Sequence, residues 1–542
     1  MTNEINNNFK NKLKNKSILI LFILFIFFLG IWTERFDIDK KASNKFKNLI
    51  DTSSQLIYSL GKNEEIFINI KPKSYKKILK SRQSSLEKGR ATESIQSWVP
   101  ATLKHKDKTY NVELSLKGTH SDHWQHKSKW SFKIKVRNDE KSIFGLRRFA
   151  VQAPYTISYL YEWLFMKALA KENLINLDVK FLNVIVNDNN LGTYVLQEKI
   201  SPKLIEKTQR DPGPIIGFSK TLWVQEANNY KNLGANGIDE SFWRAKIEPT
   251  QFDKNLLGTD QENLLNDAIF LLESFRNKTL KTSEVFDTKQ LAKVMAIRAV
   301  LGSSQFDWKD QKFYYNPNTS FLEPISKEIH VDLNYEDKIN FWWADSGRVK
   351  DHLASDVDFF LDLLYSDIEF YKIYLKELNQ ISSAKYFESL INENKDEFKK
   401  FRRMVKYNYP TKKIFSQNFL EVKRKQIQST LNPLQGLNVY FLSYQKNILK
   451  LNVSNLQRLP IEVTELHLSS GSKIKLKSKI VIKGKKPHKP LTNNIISIAC
   501  ESKKECSKSL IKNQKLKFNI LGQDNSKFAE IAEHYYAKDK KK

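Results

Sequence analysis

The stretch from Leu301 to Asn334, LGSSQFDWKDQKFYYNPNTSFLEPISKEIHVDLN, places one acid, Asp307, in a polar loop between a helix and a strand pair. Phosphoryl-transfer chemistry keeps an acid in such a loop. Gln311 lies on the same side as Asp307, and Glu328, Asp332 and Asn334 follow the returning strand, so the hairpin predicts two facing banks of oxygens. Several such oxygens suit Mg²⁺, a hard ion that takes carboxylate and carbonyl ligands. The same residues also read as solvated turn residues around an ordinary hairpin.

The elements that must position these groups are legible. Asp287 or Thr288 can cap a helix whose apolar residues Leu291, Val294, Met295, Ile297 and Val300 fall near helical spacing, and Gly302 suits the position just past its end. Beyond Asp307, Lys312 to Tyr315 reads as a strand, Asn316 to Thr319 as a turn and Phe321 to Ile325 as the returning strand. Further upstream, Ala101 to Val151 is β-rich. There the alternating runs Asn111 to Leu116 and Lys129 to Val136 flank a polar, glycine-containing loop from Lys117 to Asp122 that is placed to cover phosphates. Tyr159 to Lys171 predicts an amphipathic helix. Phe181 to Val186 and Gly192 to Gln197 predict a hairpin across Asn187 to Asn190, leading into Glu198.

At 542 residues the chain exceeds what one core usually organises. Its 90 Lys and Arg against 60 Asp and Glu give a net charge of +30, spread along the whole length. Without zinc-finger spacing or an aromatic RNA-binding signature, this charge supports an acidic or phosphorylated partner rather than nucleic acid. Ser17 to Trp32 carries no charge and follows Lys10, Lys12, Lys14 and Lys16, which predicts a transmembrane helix at 17–32 with residues 1–16 in the cytoplasm. No small-x-small cleavage site follows it, so an uncleaved single-pass anchor with the bulk of the chain extracytoplasmic is expected. Cys500 and Cys506 would then form a structural disulfide.

The order of several of these pieces resembles the CotH-like, spore-coat-type family of atypical kinases, over about Val112 to Asn379. The carriers are Leu116-Lys117-Gly118, Lys129-Trp130-Ser131-Phe132-Lys133-Ile134, Phe144-Gly145-Leu146, Val186-Asn187 with Leu191-Gly192-Thr193-Tyr194-Val195-Leu196-Gln197-Glu198, Asp307-Trp308, and Phe359 to Tyr371. Gln209-Arg210-Asp211-Pro212-Gly213-Pro214-Ile215 is similar to membrane-anchored bacterial members. The resemblance implies ATP and Mg²⁺ as cofactors and a distant protein-kinase-like, two-lobed fold. It also implies that Lys133 reaches the ATP phosphates, that Lys117 and Gly118 cover them, and that Asp307 takes the proton of the acceptor hydroxyl. Glu162 or Glu198 would be the partner glutamate. The chain departs from the family where Gln311-Lys312 replaces an asparagine motif, and where Pro324-Ile325-Ser326-Lys327-Glu328 stands in place of Asp-x-Asp. Glu328, Asp332 and Asn334 would have to supply the metal ligands instead.

His120, His123 and His126 at spacing three are expected to make surface or phosphate contacts rather than a zinc site, because their setting is a loop. Trp130, Trp163, Trp308, Trp342 and Trp343 read as core or groove-lining aromatics. Residues 33–95 read as a helical lead-in, 96–430 as the kinase-like domain, and 431–542 as an all-β, sandwich-like module with a basic tail. The expected class is α+β. The functional expectation is a membrane-anchored kinase passing phosphoryl from ATP to a protein or surface-glycan hydroxyl. The alternative is a catalytically degraded scaffold that binds an envelope protein or an anionic surface polymer.

Overall fold

The computed structural model describes residues 63–533 apart from 92–96, 138–141, 230–240, 251–257, 304–305, 332, 334–342, 345–358, 487–488, 502–505, 507–510 and 512. Met1–Asn63 and Glu64–Lys542 are separate compact units. Ser17 to Trp32 lies outside the described residues, and among the described residues no helix is long and apolar enough to cross a membrane. The expected single-pass anchoring and extracytoplasmic location are corrected accordingly and are not carried further.

Seven strands, β1 (Glu65–Asn69), β2 (Val99–His105), β3 (Lys108–Leu116), β4 (Phe132–Val136), β5 (Arg148–Gln152), β6 (Val179–Val186) and β7 (Asn189–Glu198), form a closed barrel in the order β1-β2-β3-β4-β5-β7-β6. This overturns the two-lobed kinase-like expectation. The closure comes from β1, which lies in the stretch read as a lead-in and pairs antiparallel with β2 and parallel with β6. Ile66 and Ile68, together with Ile70 just past the strand, enter a core shared with Leu103, Val112, Leu114, Phe132, Ile134, Val151 and Leu196, while Phe67 points out. Closure of the seven strands into a barrel leaves no open edge. The turn between β6 and β7 is tighter than the sequence suggests, with Asn187 and Asp188 both at positive φ, which fits a two-residue hairpin turn.

β8 (Ile215–Phe218), β9 (Ile247–Pro249), β10 (Lys312–Asn316) and β11 (Phe321–Ile325) make a second sheet in the order β11-β10-β8-β9. Helix Thr288–Val300 packs behind it. Asp287 caps that helix by accepting a hydrogen bond from the Gln290 amide at 3.0 Å, and Leu291, Val294, Met295, Ile297 and Val300 are all buried, as their spacing predicts. Gly302 follows at φ +74°, where a Cβ would lie 2.4 Å from the Phe419 ring. Both the backbone and the neighbour therefore require glycine there.

The C-terminal strands β12 (Leu437–Gln445), β13 (Ile448–Asn455), β14 (Ile461–His467), β15 (Lys473–Ile482), β16 (Asn494–Ala499), β17 (Lys515–Ile520) and β18 (Lys527–Ala532) form one sheet in the order β15-β14-β17-β18-β12-β13-β16. A single seven-stranded sheet replaces the expected sandwich. Its apolar face needs a partner, and it finds one in the helical body. Leu437, Val439, Ile461 and Phe518 belong to the same core as Phe370, Tyr374 and Leu378, and the Gln523 side-chain amide donates to the Leu375 carbonyl at 2.9 Å. Cys500 and Cys506 form the expected disulfide.

Candidate functional site

The hairpin β10–β11, the end of β3 and the end of β5 deliver their charged and amide side chains to one place. Lys117 follows β3, and its backbone N–H is fixed to the Ser131 carbonyl at 2.8 Å. Its ammonium reaches Gln152 Oε1 at 2.7 Å and Glu328 Oε1 at 3.1 Å. Gln152 donates to Gln197 Oε1 at 3.2 Å, and Gln197 donates to Glu162 Oε1 at 2.7 Å. Glu162 Oε1 also accepts the backbone N–H of Glu328 at 3.0 Å, and its Oε2 accepts that of Ile329 at 2.7 Å. The polar chain thus closes on the residue where it began. It pins the loop after β11, in which Glu328 holds a φ of +57°.

Glu162 is fully buried on helix Tyr161–Lys171. Burial raises its carboxyl above the usual range, against the pull of its two backbone donors and of Arg298. Arg298 is itself buried, donates to Ser326 Oγ at 3.1 Å and is pushed down to about 10 by burial. Lys117 feels Glu162 as well as Glu328. The alternation of β7 sends Gln197 into the site and sends Glu198 away, to the Asp178 amide at 3.0 Å and the Lys207 ammonium at 2.6 Å.

Apart from Glu162, which accepts from Gln197 and two backbone amides, the carboxylates of the site are answered by lysine. Glu328 is bridged by Lys117 and by Lys327 at 2.8 Å, Asp307 is held by Lys309 at 2.9 Å, and Asp310 is held by Lys220 at 3.0 Å. Burial alone would raise Glu328, but Lys117, Lys327 and Lys220 together outweigh it and hold the carboxyl well below its usual range. Lys117, by contrast, is lowered by burial despite Glu328. We take the ionised carboxylate as the fixed point of this pair, because two ammonium groups share it. Asp310 is held low by Lys220 and Lys309 against its burial, and Lys220 is raised chiefly by Asp310. Asp307 is 3 % exposed, whereas Lys220, Lys327, Asp310 and Glu328 reach the surface.

Gly118 stands at φ +94°, and a Cβ there would lie 2.0 Å from the His123 ring, so the loop over the site folds onto its own histidine. His123 Nδ1 lies 3.0 Å from Ser131 Oγ, and His126 Nδ1 accepts the Lys129 amide at 2.9 Å. His123 and His126 are thus spent on local bonds, and among the described residues no three His, Cys, Asp or Glu side chains are grouped to hold a metal. Trp223 is clasped between Arg90, at 5.1 Å, and Lys309, at 4.7 Å from the ring centre.

Of the expected Mg²⁺ ligands, Gln311 and Glu328 are already engaged by other groups. Gln311 Oε1 accepts from Ser326 Oγ at 3.1 Å, and its amide donates to the Asp307 carbonyl at 3.3 Å. Glu328 is taken by two lysines. Asp332 and Asn334 lie outside the described residues, as does Trp342. Lys133 projects from β4 onto the outer barrel wall, into a cleft that also contains Lys199. Of the residues singled out in the sequence, Lys117, Glu162, Asp307, Gln311 and Glu328 are brought together. Lys220, Lys309, Lys327, Gln152 and Gln197 were not foreseen. Lys309 and Lys327 adjoin the named acids in sequence, so their charge was a readable signal. Lys220 pairs with an acid 90 positions away, and nothing local marks it. Comparison with protein-family models gives no match, and comparison with curated proteins gives none.

Proposed function

We propose that the chain is a binding protein that takes a phosphate-bearing ligand at this lysine-rich site, without a divalent metal. The observation that carries the reading is the charge balance. Lys117, Lys220, Lys309 and Lys327 surround Asp307, Asp310 and Glu328, and each carboxylate already has an ammonium within 3.1 Å. A metal site needs carboxylate oxygens in excess, whereas an anion site needs cations in excess. The CotH-like resemblance, whose carriers include Leu116-Lys117-Gly118, supports phosphate as the anion. Phosphoryl transfer from ATP to a hydroxyl is the competing reading, with Asp307 as its base.

The test is thermal stabilisation of the full chain by pyrophosphate and by ATP, each with Mg²⁺ and with EDTA. At ligand about a hundredfold above its dissociation constant, the folded state gains about 2.7 kcal/mol. Stabilisation in EDTA that is lost in Lys117→Ala and Lys327→Ala is expected. Stabilisation that appears only with ATP and Mg²⁺ together would instead support the transferase.

A further inference from the structure

The outer wall of the barrel carries a second cationic feature that the buried site does not use. Along β4 the apolar residues Phe132, Ile134 and Val136 face the barrel core, so Lys133 and Lys135 face outward. Strand register sets Lys135 opposite Glu113 on one side and Arg148 on the other. Lys199 is drawn alongside by its backbone bond to the Arg148 carbonyl at 3.2 Å. These side chains, with Trp98 at the edge of β2, line a cleft of about 360 Å³. Among the described residues its one lining acid is Glu113, which is already shared by Arg137 at 3.2 Å and Lys135 at 3.8 Å.

Two observations narrow the ligand. Trp98 is 49 % exposed, so the cleft offers a flat apolar face rimmed by cations. Lys199 also feels Lys133, Lys327 and Lys117, so the cleft and the buried site share one positive field. A cavity of this size sits at the low end of the ~300–1,000 Å³ of ligand sites, enough for a short stretch of a chain. A single aromatic platform differs from the successive aromatics on which a nucleic-acid strand stacks.

From this arrangement we infer that the cleft binds an anionic glycan, with a sugar ring on Trp98 and its acidic groups on Lys133, Lys135, Arg148 and Lys199. The inference rests on the anion-binding reading of the adjacent site and deepens it by naming the ligand class.

The experiment is isothermal titration of the full chain at low salt with four probes: oligogalacturonate, pyrophosphate, neutral dextran and a single-stranded DNA oligonucleotide. Oligogalacturonate should bind and dextran should not. Trp98→Ala and the double variant Lys133→Ala/Arg148→Ala should each weaken oligogalacturonate about tenfold. Trp98→Ala, which removes no charge from the shared field, should leave pyrophosphate within about twofold. Pyrophosphate binding combined with oligogalacturonate binding that ignores Trp98 would overturn the inference and leave the buried site standing. Tighter binding of DNA than of oligogalacturonate would also overturn it. Failure of both anions to bind would overturn the two readings together.

Discussion

Glu328→Gln separates an anion site from a metal site, because it changes charge with almost no change in shape. In the folded protein this carboxylate receives Lys117 at 3.1 Å and Lys327 at 2.8 Å. Lys117 is nearly buried, with 13 % of its side chain exposed, and would keep only Gln152 as a strong acceptor. Replacing two ion pairs by bonds from the same ammoniums to a neutral amide oxygen costs about 1 kcal/mol each, and leaving the nearly buried Lys117 ammonium without its counter-charge adds about 1 more, so a loss of roughly 2–3 kcal/mol is expected. Binding should move the other way. An anion sharing these lysines would sit about 6 Å from the lost negative charge, a repulsion of roughly 0.7 kcal/mol in water and about 2.8 kcal/mol at an effective dielectric of 20. Relief near the middle of that range is about a tenfold gain in pyrophosphate affinity. Urea denaturation measures the first quantity and titration calorimetry in EDTA the second. A variant that binds pyrophosphate more weakly than the parent, or only with Mg²⁺, would refute the charge argument.

The same residue sets a pH dependence. The Glu328 carboxyl is held below its unfolded value, so its contribution is complete above about pH 4.5 and is lost as pH falls through the folded value; below that point urea midpoints should drop less steeply in Glu328→Gln than in the parent. Lys199 is pushed down to about 8, first by desolvation against the barrel wall and then by Lys133, Lys327 and Lys117, so anion affinity should fall between pH 7 and pH 9 as its charge is lost, an effect that Lys199→Ala should remove. Gly118→Ala meets both a φ of +94° and the His123 ring, and should cost about 2 kcal/mol or more by urea denaturation, partly recovered in the double variant with His123→Ala. Gln197→Leu breaks the polar ring between Gln152 and Glu162 and should cost about 1–3 kcal/mol, with Glu162 left short of a donor. Replacing Cys500 and Cys506 by serine opens a loop with a sequence separation of 6 and should destabilise the chain by roughly 2 kcal/mol.

What the sequence made legible was local. Helix Thr288–Val300 and the hairpin Lys312–Asn316 with Phe321–Ile325 follow from an acidic cap, apolar residues at helical spacing and a polar turn, each readable within about a dozen positions. Asp307, Gln311 and Glu328 were found because that hairpin alone brings them together. The barrel was not legible, because its closure depends on β1 pairing with β6, whose partners Ile66 and Val184 are separated by most of the barrel sequence. The burial of β1 alternates as a strand's does, but a strand does not name its neighbour.

The neutralised character of the site was half visible. Lys309 stands two positions after Asp307, and Lys327 stands directly before Glu328; an extended backbone would put the first pair on one side and send the second pair to opposite sides. The local backbone is not extended at either place. Asp307 caps a short 3-10 turn, Trp308–Asp310, which swings Lys309 back onto the carboxylate at 2.9 Å. Glu328, at φ +57°, is rotated so that the preceding lysine reaches its own Oε1. In both places it is the backbone conformation that turns a residue placed like a metal ligand into half of an ion pair. Substitutions that preserve the net charge but straighten these turns should therefore open the carboxylates to cations. Asp310→Pro combined with Lys220→Met is such a change, because it removes the amide that donates to the Asp307 carbonyl at 3.2 Å together with both members of one ion pair. Gain of a Ca²⁺-dependent thermal shift in that variant, absent in the parent, is the expected result. A variant that folds and still ignores Ca²⁺ would show that the lysines, rather than the turns, decide which ion the site accepts.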